Sequence, residues 1–318
     1  MSKIAFVFPG QGAQSIGMGR DAYEQSELAR GVFEQADAEL AESLSGLIFE
    51  GTEAELKKTA NTQPALLTAS VAYWTLLNQA GVHADVMAGH SLGEYSALVA
   101  AGAISFADAV RTVRRRGLLM EQAVPAGQGG MAAILGAERE ALAGLCAQVS
   151  DSVGRVELAN VNCPGQIVIS GETAAVQAVA DQVKSIGAKR AIVLEVSGPF
   201  HSSMMQSAAN ALADSLGALV WHQPSVPVVS NVTALPVTSA SEFAELLKRQ
   251  VVSPVLWEDS IQQMVSDGVD TFIEIGPGNV LSGLIKKIDK SVTCYNINSI
   301  DALNQTIQAL SDRQEASV

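Results

Sequence analysis

The sequence predicts an α/β protein in which a larger domain with a mostly parallel sheet is interrupted by a small inserted domain. Two patterns carry this reading. Short apolar runs bounded by glycine and proline, such as residues 4–8 before Pro9 and Gly10, alternate with longer helical patterns. From about Gly127 the rhythm changes to strand, helix, strand, strand, helix, strand, which is the ferredoxin-like order. The chain therefore divides into residues 1–126 and 199–318, forming one discontinuous domain, and residues 127–198, forming the small one.

Residues 4–8 read as a buried strand that opens into the glycine-rich loop "GQGAQSIGMG". This loop fits no nucleotide motif: a dinucleotide fingerprint needs glycine where Ser15 stands, and a P-loop needs lysine where Met18 stands. Helical patterns follow at residues 23–40 and 62–79, then a strand at 85–88. A further helix begins at about Phe106, with Ser105 as N-cap and Asp108 completing a capping-box-like start. The small domain is read as strands at 131–135, 155–161, 167–170 and 189–196 and helices at 138–149 and 173–186, with "NCPGQ" as a turn. "VPAGQGG" and "SGPFHS" bound it, after which "VPVVSN", a helix at 242–249 and the strand "TFIEIG" resume the larger unit.

With 318 residues and 48% apolar content the chain can bury a sizeable core. Its formal net charge of −13 argues against a nucleic-acid partner, because phosphate binding needs a basic face. Any anionic ligand must meet local positive charge. Cys146, Cys163 and Cys294 are odd in number, far apart and without metal-ligand spacing, so they read as core thiols of a reduced compartment. The N-terminal apolar run is too short for a signal peptide and no stretch approaches a membrane span. A soluble, cytoplasmic protein with no metal and no membrane partner is expected.

Chemistry concentrates in "AGHSLGEYSA", where Ser91 stands between Gly89 and Gly93. A serine nucleophile needs a sharp strand-to-helix turn with small neighbours, a base, and N–H donors for the oxyanion. Strand, turn and helix flank Ser91 as that motif demands, and the Leu92 N–H is the natural first oxyanion donor. Of the four histidines, His90 adjoins Ser91 on a tight turn and suits a packing role, while His83 and His222 suit the surface or core edge. His201, in "SGPFHS", lies where the small domain returns to the large one, and clefts form at such boundaries. It is the candidate base.

Arg114, Arg115 and Arg116 separate on a helix, because successive residues turn by about 100°. The apolar stripe of Phe106, Ala109, Val110, Val113, Met120 and Val124 puts Arg116 at its edge and points Arg115 away. An arginine beside a buried stripe requires an anionic partner, either a protein carboxylate or one on the substrate.

Taken together, "FVFPGQGAQ", "TQPALL", "GHSLGEYSALVAAG", "RRRGLLM", "NVNCPGQIVISG", "GPFHS", "RQVVSPVLW" and "EIGPGNVLSGL" resemble, in this order and over nearly the whole chain, the bacterial malonyl-CoA:acyl carrier protein transacylases. The resemblance implies an α/β-hydrolase-like domain with a ferredoxin-like insert. It also implies that Ser91 is acylated, that His201 is its general base, and that Gln250 orients His201 through its backbone carbonyl. Gln11 and Leu92 would supply oxyanion N–H groups, Arg116 would bind the malonyl carboxylate, and Phe200 would narrow the acyl pocket as in malonyl-selective members. The implied reaction passes malonyl from coenzyme A to the phosphopantetheine thiol of acyl carrier protein, in fatty acid biosynthesis, without a metal or redox cofactor.

The carrier protein is acidic in this family, so an acidic enzyme needs a local basic patch to receive it; Lys189, Arg190, Lys286 and Lys287 are the candidates. Two other readings use the same residues. A serine thioesterase or esterase would need only Ser91 and His201, and a non-catalytic carrier-docking module would need neither.

Overall fold

The computed structural model describes residues 2–315. Its strands are β1 (Lys3–Phe8), β2 (Val86–Gly89), β3 (Gly129–Leu135), β4 (Val156–Cys163), β5 (Gln166–Glu172), β6 (Arg190–Val193), β7 (Val228–Val229), β8 (Pro236–Val237), β9 (Val255–Leu256), β10 (Val269–Ile275) and β11 (Thr293–Ile297). The larger sheet has the order β11-β10-β1-β2-β7-β8 and is parallel except for the β7–β8 pair. Helices cover both of its faces, which is why β1 is continuously apolar from Ile4 to Phe8 rather than alternating. Phe6 and Phe8 face a core built largely on the helix Thr59–Gln79. Ala5 and Val7 face the opposite core, with Trp257, Ile261, Leu281 and Leu284 of the helices Trp257–Ser266 and Val280–Ile288.

The second sheet has the order β6-β3-β5-β4-β9. Its first four strands are antiparallel, and the helices Arg139–Ser152 and Thr173–Gln182 bury Leu142, Cys146 and Val176 against Ile134 and Ile169. This is the α/β fold with a ferredoxin-like unit that the sequence predicts. One strand crosses the division: β9 comes from the C-terminal segment and pairs parallel to β4, capping an edge of the small sheet that would otherwise offer unpaired backbone groups. Residue 1 and residues 316–318, at the ends of the larger segment, lie outside the described residues.

Local departures from the sequence reading have local causes. The pattern at 23–40 is two helices, Arg20–Gln25 and Glu27–Leu40, because Ser26 is extended and its side chain caps the second by accepting from Ala29 N. The pattern at 173–186 ends as a 3-10 turn, Val183–Ile186, closed by Gly187 at φ 81°. The helix Phe106–Gln122 starts as expected, with Asp108 N donating to Ser105 Oγ at 3.1 Å.

That helix approaches Thr59–Gln79 closely at one glycine. A Cβ on Gly117 would lie 2.7 Å from Ala60 Cα and 2.7 Å from the Thr59 carbonyl oxygen, both backbone atoms. Gly117 therefore sets the spacing of the two helices and the depth of its neighbour Arg116. Gly117→Ala should force them apart at a cost of about 1–3 kcal/mol, read from urea unfolding. An unchanged denaturation midpoint would show that the contact is not limiting.

Candidate active site

The turn carrying Ser91 joins β2 to the helix Gly93–Ala100 at the carboxyl ends of the parallel strands, where α/β sheets place their sites. Ser91 has φ 52°, a left-handed conformation unfavourable for a side chain. Both flanking glycines are required by close approach: a Cβ on Gly89 would fall 1.9 Å from the Gly93 carbonyl, and one on Gly93 would fall 2.1 Å from the Phe8 oxygen. Asn231, just past β7, holds the turn. Its Oδ1 accepts from Ser91 N at 2.6 Å, its Nδ2 donates to the Gly89 carbonyl at 2.7 Å, and its own N–H donates to Glu94 Oε2 at 3.1 Å. The Ser91 N–H is thus committed, whereas the Gln11 and Leu92 amide N–H groups donate to no protein acceptor among the described residues.

His201 Nε2 lies 2.8 Å from Ser91 Oγ, and His201 Nδ1 lies 2.8 Å from the Gln250 carbonyl oxygen. A carbonyl can only accept, so Nδ1 carries the ring proton and Nε2 presents a lone pair to the hydroxyl. Gln250 is the last residue of the helix Phe243–Gln250, so its carbonyl belongs to the partially negative end of a helix. It occupies the position where many serine enzymes hold a carboxylate. Burial, and then the Arg116 charge, lower the His201 pKa to about 3, so the imidazole is neutral at pH 7 and free to accept a proton.

Arg116 is 1% exposed. Its Nη1 donates to Gln63 Oε1 at 2.8 Å, and its Nη2 donates to Gln250 Oε1 at 2.9 Å and to Ser91 Oγ at 3.1 Å. These acceptors are all uncharged, Nε has no partner, and the Tyr95 ring lies 5.7 Å beneath the guanidinium carbon. Arg115, by contrast, is exposed. Ser91, His201, Arg116, Gln11 and Leu92 line one cleft of roughly 120 Å³, whose apolar wall comes from Phe200, Met120, Met131, Leu194 and Val196. The arrangement can acylate a hydroxyl and hold a carboxylate beside it.

His90 plays the packing role expected of it: Nε2 lies 2.9 Å from Asn162 Oδ1 and the ring tilts against Trp257, while His83 and His222 are exposed. Lys189, Arg190, Lys286 and Lys287 are exposed too. Arg190 pairs across β3 with Leu135, Leu135 pairs with Gln166, and Lys287 Nζ donates to Gln166 Oε1 at 3.3 Å, so Arg190 and Lys287 share one end of the small sheet. Sequence reasoning missed Asn231, Glu94 and Gln63 as site residues. The position of Asn231, polar and directly after an apolar parallel strand, was the available signal.

Residues 5–310 match the model of the acyl transferase domain. A malonyl CoA-acyl carrier protein transacylase of Bacillus subtilis (strain 168) is 51% identical over 315 residues, covering 99% of each chain. The chain belongs to the family of malonyl-CoA:acyl carrier protein transacylases. A solved transacylase of this family from Clostridium perfringens superposes with a TM-score of 0.96 at 42% identity over 99% of both chains. A malonyl-transacylase solved in complex with a type II PKS acyl carrier protein superposes at 0.94 with 42% identity, over 97% of this chain and 100% of that one. Among the described residues no helix is long and apolar enough to cross a membrane, and no group of three or more His, Cys, Asp or Glu is placed to hold a metal ion.

The depressed His201 pKa fixes the sign of the pH response. Its base form persists as pH falls, so kcat/KM for acylation should show no loss through the ordinary histidine range near 6.5 and should fall only well below it. Stability moves differently: an unfolded His201 takes up the proton that the folded one refuses, so stability present above about 6.5 is lost as pH falls toward 3. Rates measured on protein shown to be folded at each pH separate the two effects. A half-maximum at pH 6.5 on folded enzyme would contradict the assignment.

Proposed function

We propose that this protein takes the malonyl group from malonyl-CoA as an ester on Ser91 and passes it to the phosphopantetheine thiol of an acyl carrier protein. The observation carrying this reading is Arg116, a buried guanidinium beside the nucleophile whose hydrogen bonds all end on uncharged groups. Such a group is suited to receive a carboxylate through paired N–H bonds. A hydrolase of neutral esters has no use for it, and a silent docking module has no use for the Ser91–His201 contact.

The steps follow from the distances. His201 Nε2 takes the Ser91 proton as Oγ attacks the thioester carbonyl, and the Gln250 carbonyl stabilises the imidazolium that results. The Gln11 and Leu92 N–H groups receive the oxyanion. The carbon–sulfur bond then breaks, and the coenzyme A thiolate leaves with the proton held by His201. The carrier thiol reverses the sequence, giving its proton to His201 and releasing Ser91. Phe200 and the methionines shape the space for a short acyl group. No metal or redox cofactor enters these steps, and the names of the relatives support the carrier protein as acceptor. The reaction supplies malonyl units for fatty acid biosynthesis and belongs in the cytoplasm.

Intact mass tests the pathway. Malonyl-CoA should add one malonyl group to the protein, phosphopantetheinylated carrier should remove it and become malonylated, and Ser91→Ala should never acquire the adduct. Release as free malonate in the presence of the carrier would favour a thioesterase.

Arg116→Ala isolates acyl recognition. Charge-assisted hydrogen bonds contribute roughly 1.5–3 kcal/mol each, so losing two should lower kcat/KM for malonyl-CoA about a hundredfold or more. Acetyl transfer should hold or rise, since acetyl offers no carboxylate. Equal losses on both substrates would assign Arg116 to folding instead.

A further inference from the structure

The mechanism makes no use of Glu94, a carboxylate 2% exposed in the helix that follows the nucleophile. Its Oε2 accepts from Gln250 Nε2 at 2.7 Å and from Asn231 N at 3.1 Å. Burial raises its pKa to about 7, while the two N–H donors and the Arg116 charge oppose that rise, so the carboxyl is ionised above that pH. The Gln250 amide is therefore a bridge between charges: Nε2 donates to Glu94 and Oε1 accepts from Arg116 at 2.9 Å. Nε2 also donates to the Ser91 carbonyl at 3.0 Å, so the amide cannot turn over without exchanging donors for acceptors on both sides. Other charged or titratable groups near the pair are Tyr95, under the guanidinium, and His201, whose ring proton goes to the Gln250 carbonyl.

We propose that Glu94, acting through the Gln250 amide, is the standing counter-charge of Arg116 and so moderates how tightly the site holds a charged acyl group. In the empty enzyme a buried cation needs an anion nearby. An anion in direct contact would occupy the receptor, whereas one held a side chain away neutralises the charge and leaves the cleft-facing N–H groups free. An acyl carboxylate then binds a partly compensated guanidinium, firmly enough for selection and weakly enough for release to the carrier. Glu94 touches no substrate; it is a selectivity-setting, positioning residue.

The inference rests on Arg116 reading the acyl carboxylate, and its sign differs from that of a scaffold role. Glu94→Gln keeps the shape and an acceptor oxygen for Gln250 while removing the charge. At pH 8, above the Glu94 pKa that burial raises to about 7, it should lower KM for malonyl-CoA and raise the ratio of malonyl to acetyl kcat/KM by roughly fivefold. Malonyl transfer to the carrier should slow, as the acyl carboxylate is held harder. KM and the ratio, measured on one preparation, do not depend on the fraction folded. If Glu94→Gln gives no active protein, Glu94→Asp, which withdraws the charge by one methylene, should move the ratio the same way by a smaller factor. An unchanged or lowered ratio in the variant that is active overturns the proposal. Arg116→Ala measured alongside keeps the two claims apart: if it leaves the ratio intact, the receptor reading fails; if it erases the ratio while the Glu94 variant leaves it at the wild-type value, only the counter-charge fails.

Discussion

Arg116 sits in the protein interior with hydrogen bonds to Gln63, Gln250 and Ser91, none of which is charged. Removing a guanidinium from water with no anion in direct contact costs several kcal/mol. Much of the surrounding structure exists to hold that group in place. Gly117 lets its helix press against Thr59–Gln79, the Tyr95 ring lies beneath it, and Gln63 and Gln250 turn their amide oxygens toward it. Gln250 joins the two halves of the site, because its side chain positions the cation while its carbonyl positions the base.

The same region stores backbone strain. Ser91 at φ 52° and His201 at φ 58° are both non-glycine residues in the left-handed region, at a cost of about 1–3 kcal/mol each. Neither conformation is local in origin. Asn231 pins the Ser91 turn from another strand, and Gln250 pins His201 from the end of a helix. The result is a hydroxyl and an imidazole 2.8 Å apart before any substrate arrives, which is the preorganisation that nucleophilic catalysis requires.

What was legible in the sequence was what local chemistry dictates. The pentad around Ser91 shows in the glycines that a close turn demands, the Ser105 cap shows in its spacing to Asp108, and the place of Arg116 at the edge of an apolar stripe shows in helical periodicity, though not its full burial. The parallel sheet and the inserted unit follow from the alternation of elements. Asn231 was hidden because it meets Ser91 across 140 positions of chain, and nothing in "VPVVSN" says which turn it will reach. Gln250 was hidden for another reason: its contact with His201 uses a backbone carbonyl, which any residue supplies, so only resemblance pointed to it. The crossing of β9 into the small sheet was illegible because two residues carry no pattern.

The central claim is that Arg116 is a receptor kept open for the acyl carboxylate, and a crystal structure of the malonyl-Ser91 enzyme, formed by soaking with malonyl-CoA, tests it most directly. The account predicts both oxygens of the malonyl carboxylate within about 2.7–2.9 Å of guanidinium nitrogens of Arg116, the spacing of a charge-assisted pair. A malonyl carboxylate turned to solvent or bound elsewhere, with Arg116 still engaged on Gln63 and Gln250, would contradict it.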